Sequence, residues 1–129
     1  MTVRNLISAF VFVGLGTFGA VLPAWAGPVS QGQTALGYVL TDPQGMTLYT
    51  FNKDDGDKIA CVDACAQIWP PLVATGKDMA VGEYSIVNRM DGTKQWAYRG
   101  KPLYRWSKDA KPGDITGEGF KDLWHVARP

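Results

Sequence analysis

Histidine is nearly missing from this chain, which holds one, and cysteine is scarce, with two among 129 residues. A lone His125 excludes the multi-imidazole metal centres that many hydrolases use, and two cysteines exclude a framework of several disulfides. Charge of one sign is missing too. Lys and Arg total 13 against 12 Asp and Glu, so no basic stripe marks a nucleic-acid surface. GxSxG, HExxH, the P-loop and Gly-x-Gly-x-x-Gly are absent. "GDITGEG" is rich in glycine but lacks the lysine and the long helix of a phosphate cradle. The spacing in "CVDAC" also rules out c-type haem attachment, which needs C-x-x-C-H. A long apolar run occurs once, as "LISAFVFVGLGTFGAVL" after Arg4, broken by Pro23 and followed by Ala24, Trp25 and Ala26. It reads as a cleaved secretory signal over residues 1–26, with no charged stop-transfer flank behind it. No cysteine near that cut could accept a lipid. The expected mature chain, residues 27–129, is secreted or periplasmic and has no membrane span. Its length suits one domain.

What the chain does have is a phrase written twice. "GMTLYTFNKD" at residues 45–54 returns as "GKPLYRWSKD" at residues 100–109. At an offset of 55 positions, Gly45 matches Gly100, Leu48 matches Leu103, Tyr49 matches Tyr104, and Phe51 matches Trp106. Lys53 matches Lys108 and Asp54 matches Asp109, and the register still holds where Ile68-Trp69 meets Leu123-Trp124. The chain is therefore read as two fused copies of one unit, repeat one near 36–74 and repeat two near 84–129. A unit of this size does not bury its own apolar face, so the two must share a core.

Each unit reads as antiparallel hairpins. "YVLTDPQGMTLYTF" sets two β-type runs around Asp42-Pro43-Gln44-Gly45, with Pro at the second turn place and Gly where positive φ is required. "KQWAYRGKPLYRW" repeats this around Arg99-Gly100, and Asp91-Gly92 in "YSIVNRMDGTKQWAY" is a strong hairpin signal. Strands are predicted near 36–41, 46–52, 84–90, 93–98 and 101–106. Polar loops ("KDDGDKI", "KDAKPGDITGEG") and short helical turns ("VDACAQIW", "FKDLW") follow. The fold class is mainly β with short helical turns, a small single domain of antiparallel hairpins built from two internal repeats. Barrel and sandwich closure both fit this pattern.

In an extended strand alternate side chains share a face, so Tyr49 and Phe51 point one way and Leu48 and Thr50 the other. Tyr104 and Trp106 do the same in the second unit, opposite Leu103 and Arg105. The first expectation is scaffold. The aromatics bury large areas against their symmetry mates, and Asp54 and Asp109 hold backbone amides in the loops that follow. The alternative is a ligand cradle in which Tyr49, Phe51, Asp54, Tyr104, Trp106 and Asp109 converge on a sugar, a cationic group or a peptide.

Tyr-x-aromatic-x-x-Asp, then "CxxxCAxxWPPL", then "DGTxQWxYxGxPLY" and a closing "WHVA" resemble a bacterial secreted-repeat family. Its members are known as predicted lipoproteins bearing a Y-x-(F/W/Y)-x-x-D motif. The match runs over residues 36–127. The resemblance implies a secreted or envelope-attached protein of two such repeats and no established enzymatic activity. The lipoprotein label does not transfer, because this chain lacks a lipobox cysteine.

The copies differ at two chemically useful places. Cys61 and Cys65 align with Thr116 and Phe120, and His125 aligns with Pro70. A structural disulfide is expected for the cysteines. Residues four apart on a regular helix keep their Cβ atoms about 5–6 Å apart, farther than the roughly 3.8 Å of a disulfide, so Cys61 should precede the helix. The alternative is a copper-binding or thiol-redox site of Cys61, Cys65 and His125, with Met79 or Met90 as weak auxiliaries. His125 between apolar neighbours reads as a hydrogen-bonded, half-buried side chain; Asp109, Asp114 and Glu118 are the carboxylates that could serve it. The chain is thus expected to be a secreted or periplasmic, non-enzymatic envelope protein, a binding or structural module for a small ligand or an envelope partner. No cofactor is expected outside the copper alternative.

Overall fold

Turn chemistry and apolar alternation decide where the strands lie. The computed structural model describes residues 27–129, and the expected signal at 1–26 lies outside them. The described strands are β1 (Ser30–Thr34), β2 (Gly37–Thr41), β3 (Tyr49–Phe51), β4 (Val73–Ala74), β5 (Tyr84–Asn88), β6 (Lys94–Tyr98), β7 (Lys101–Pro102) and β8 (Trp124–Val126). One short helix, α1 (Ala64–Ile68), and a 3-10 turn at Phe120–Asp122 complete the elements. All named strand pairs are antiparallel. The fold is mainly β, as the hairpin pattern predicts. Among the described residues no helix is long and apolar enough to cross a membrane.

The turns behave as their residues dictate. Gly45 takes φ 89°, and the Asp42 carboxylate accepts the amides of Gln44 and Met46, both at 2.9 Å. This holds a three-residue loop between Asp42 and Met46. In the second unit Arg99 and Gly100 both have positive φ (49° and 82°) and form a two-residue turn, the geometry that suits a tight hairpin. The first turn is one residue longer, so β2 matches β6 at one position more than the 55 that relates the phrases.

Three departures from the predicted strands have local causes. β1, with sequence Ser-Gln-Gly-Gln-Thr, shows no apolar alternation and lies on an edge, paired only to β2. The run predicted at 46–52 is regular only at 49–51, because Thr47 and Leu48 bond singly to β2. The run predicted at 101–106 shortens to Lys101–Pro102. Beyond it Tyr104 forms isolated bridges with Tyr49 and with Pro71, where neighbouring prolines remove ladder donors.

The two units interlock. Tyr49 and Tyr104 exchange both backbone bonds, at 2.8 and 2.9 Å. Outward from them the bonds repeat in pairs. The Ala127 amide donates to the Leu48 carbonyl as Leu72 does to Leu103, and Asn52 donates to Leu123 as Ser107 does to Ile68. Leu40 donates to Ala127 as Trp96 does to Leu72. Each unit's closing segment therefore pairs with the other unit's hairpin, about a local pseudo-twofold axis. The phrase strands divide the core by alternation. Leu48 and Leu103 pack with Leu40, Trp96, Ala74 and Ala127, and Tyr49 and Tyr104 pack with Trp69, Trp106 and Trp124.

Candidate functional site

The six residues of the repeated motif meet at this axis. Tyr49 and Tyr104 are fully buried, Trp106 and Asp109 nearly so, and Phe51 and Asp54 are half-buried. The rings form a continuous stack. Trp69 and Trp124 lie face to face at 3.8 Å with planes 2° apart, Trp106 continues the stack at 3.9 Å beyond Trp69, and Phe51 continues it at 4.2 Å beyond Trp124. Each tyrosine meets a tryptophan edge-on, Tyr49 against Trp69 at 5.3 Å and Tyr104 against Trp124 at 5.1 Å. The edge-on tyrosine–tryptophan contacts match the quadrupoles of the rings.

The tyrosine hydroxyls cross between units. Tyr49 donates to Asp109 Oδ2 at 2.7 Å and Tyr104 donates to Asp54 Oδ2 at 2.7 Å. The second oxygen of each carboxylate holds its own loop. Asp54 Oδ1 accepts the Ala60 amide at 2.8 Å, and Asp109 Oδ1 accepts the Thr116 amide at 3.0 Å and hydroxyl at 2.6 Å. The Gly117 amide donates to the Tyr49 hydroxyl oxygen at 3.1 Å. A Cβ at Gly117 would stand 2.8 Å from the Trp69 ring, so only glycine brings that amide so close.

Burial drives the electrostatics. It lifts the Tyr49 hydroxyl far above the ordinary tyrosine range, reinforced by the bond to Asp109 and partly opposed by the Gly117 amide. Tyr104 is raised in the same way by burial and by Asp54, with Arg89 opposing. Asp54 is also raised by burial, against the lowering pull of the Ala60 amide, Tyr104 and Arg89. Both hydroxyls therefore stay protonated donors at neutral pH. Every side-chain polar atom of the motif's tyrosines and aspartates has a partner inside the protein.

Arg89 and Gln95 are participants that reading the chain as hairpins does not reveal. Arg89 is 6% exposed and donates to Gln95 Oε1 at 2.6 Å and to the Cys61 carbonyl at 2.7 Å. Gln95 in turn donates to the Leu103 carbonyl at 2.7 Å. This buried network ties the second unit's hairpin to the first unit's loop. An Arg beside a hairpin turn ordinarily faces water, so no local signal marks it.

Cys61 and Cys65 form a disulfide with Cα atoms 5.2 Å apart, and Cys61 precedes α1 as the geometric argument requires. His125 lies in β8 opposite Thr50, with Nδ1 3.0 Å from Glu118 Oε2. Glu118 also accepts the Val126 amide at 2.8 Å. Burial alone would raise its carboxyl, but the Val126 amide, His125 and Arg128 together hold it below the usual range. Both cysteine sulfurs are thus bonded to each other, and His125 is engaged elsewhere. Among the described residues no group of three or more His, Cys, Asp or Glu is placed to hold a metal ion.

No curated protein and no solved structure matches the chain. A family described as a secreted repeat of unknown function matches it twice, over residues 31–73 and 85–128, which correspond to the two interlocked units, and the chain belongs to that family.

Proposed function

We propose that this protein is a non-enzymatic binding module of the bacterial envelope, periplasmic after export. In it the duplicated aromatic–carboxylate motif is the frame, and recognition belongs to the surface on which the two copies differ. The crossed Tyr49–Asp109 and Tyr104–Asp54 bonds carry this reading. A cradle for a sugar or a cation needs open ring faces and free carboxylate oxygens, and here the rings stack on one another while the carboxylates bind hydroxyls and loop amides. The disulfide adds a further constraint in the first unit.

The test is a thermal-shift panel on the mature protein. It contains peptidoglycan fragments, neutral and acidic sugars, amino acids and short peptides, with Cu(I) added to a reduced sample. A specific ligand at a hundred times its Kd adds about 2.7 kcal/mol, enough to move the midpoint visibly. At least one member should raise it without being converted. Turnover of any member, or no shift from all of them, would reject the proposal.

A further inference from the structure

We propose that the hollow around His125 is a binding site for a small hydroxylated molecule carrying one oxyanion, of the size and chemistry of a uronic acid unit. This deepens the binding-module reading and rests on it. The hollow measures about 380 Å³, and Thr50, Asn52, Arg99, Lys101, His125 and Arg128 contribute to its lining. That volume suits one small ligand.

The site is a place where the duplicated halves have parted. Its pseudo-symmetry mate is a cavity of about 190 Å³ lined by Pro70, Arg105 and Ser107, which match His125, Thr50 and Asn52. In the mate the cation is already neutralised, since Arg105 lies 3.5 Å from Asp42, whose carboxylate is almost wholly buried. At the larger site Tyr98 stands where Asp42 stands in the mate, and Lys101 replaces Met46. Arg99 is paired with Glu83 at 2.6 Å and His125 with Glu118 at 3.0 Å. Among the described residues, neither Lys101 nor Arg128 has a carboxylate within ion-pair distance. Lys101, and Arg128, which feels Glu118 only from beyond ion-pair distance, thus border one concave site, in which an oxyanion gains charge-assisted hydrogen bonds.

The rest of the lining defines the remainder of the ligand. The Thr50 hydroxyl, the Asn52 amide and His125 Nε2, the ring nitrogen not facing Glu118, offer hydrogen-bonding groups of the kind that read sugar hydroxyls. An adjoining hollow shares Thr50, Asn52 and Lys101 and ends at Asp54 and Asp55. A second anionic group would meet those carboxylates, so the site favours a single acidic group at the Arg128 end and a neutral remainder.

The experiment is an amide-resolved NMR titration of the mature protein at low ionic strength with glucuronate, inorganic phosphate and glucose as separate probes. Glucuronate should shift the amides of Thr50, Asn52, Lys101 and residues 125–128, bind at least about tenfold tighter than glucose, and weaken about tenfold in Lys101→Gln/Arg128→Gln. Arg128 also donates to the Leu36 carbonyl, so Lys101→Gln alone serves if the double variant loses its fold. Phosphate binding at the same amides with no gain from the sugar supports the oxyanion site and assigns its ligand to free phosphate. No localised shift from either anion at about 10 mM, ten times a millimolar Kd, overturns the proposal, as does affinity unchanged by the substitutions. Should neutral or peptide members of the thermal-shift panel bind while both anions fail, this site is wrong and the binding-module reading stands. If nothing in the panel binds, both fall.

Discussion

At the residue scale the two crossed bonds differ in how much water can replace them. Asp109 is 9% exposed, whereas Asp54 is half-buried. Tyr49→Phe strands Asp109 Oδ2 and the Gly117 amide in the interior, at a cost of about 1–3 kcal/mol for unsatisfied buried groups. Tyr104→Phe should cost less, because solvent reaches Asp54. Urea unfolding of the two variants checks the order, and a larger loss in Tyr104→Phe would contradict it. The same bonds set an alkaline limit. Both hydroxyls have folded pKa values raised above the unfolded value of about 10, so the stability they contribute is complete below that pH. It is lost as the pH climbs past it, because the unfolded chain then releases protons that the folded chain keeps. Tyrosinate absorbance should show Tyr49 and Tyr104 ionising only together with unfolding. Their smooth titration in a folded protein would mean the hydroxyls are not held as described. That these residues matter was legible from the duplication, but their partners were not. Tyr49 with Asp54 and Tyr49 with Asp109 leave the same sequence pattern, because both copies carry both residues. Only the three-dimensional path of the chain decides between them.

At the element scale the two loops after the motif aspartates do one job by different means. In the second unit the loop is held by the Thr116 amide and hydroxyl on Asp109 and by Gly117 against Tyr49. In the first unit Cys61 occupies the place of Thr116, and the disulfide to Cys65 closes the loop before α1. Arg89 adds a hydrogen bond to the Cys61 carbonyl. Replacing both cysteines by serine should lower stability by about 2 kcal/mol, the chain-entropy value for a five-residue loop, and leave the fold and the β8 contacts intact. Denaturant midpoints with an unchanged m-value measure this. Complete loss of the fold would show that the disulfide organises more than its own loop. Strand positions follow a similar logic. Runs with apolar alternation and glycine turns, such as β2, β5 and β6, are visible in the sequence. β1 is not, because its place comes from backbone pairing with β2 and its side chains carry no alternation.

The scale of the whole molecule is where the interlock has its largest consequence. Each phrase strand begins against its own unit's hairpin and continues against the other unit. β3 pairs with β8, and the strand through Tyr104 and Arg105 bonds to Pro71 and Pro70 of the first unit. The central ring stack alternates between units as well, since Phe51 and Trp69 come from one and Trp106 and Trp124 from the other. A half-chain of about 50 residues that loses those neighbours exposes its tryptophans and its strand edges, and a domain of that size is marginal even with a core of its own. Cutting the chain between Met79 and Ala80, in an exposed stretch that joins the units, should therefore yield two pieces that are each unfolded alone. Mixed in equal amounts they should recover the native near-ultraviolet tryptophan signal and a cooperative melt, with a midpoint that depends on concentration because folding has become association. A monomeric half with its own cooperative melt would mean that each repeat is a domain and that the crossed bonds only join two finished structures. Recovery only on mixing would place the fold's specificity in the exchange itself, with the duplicated phrase as the surface along which one unit recognises the other.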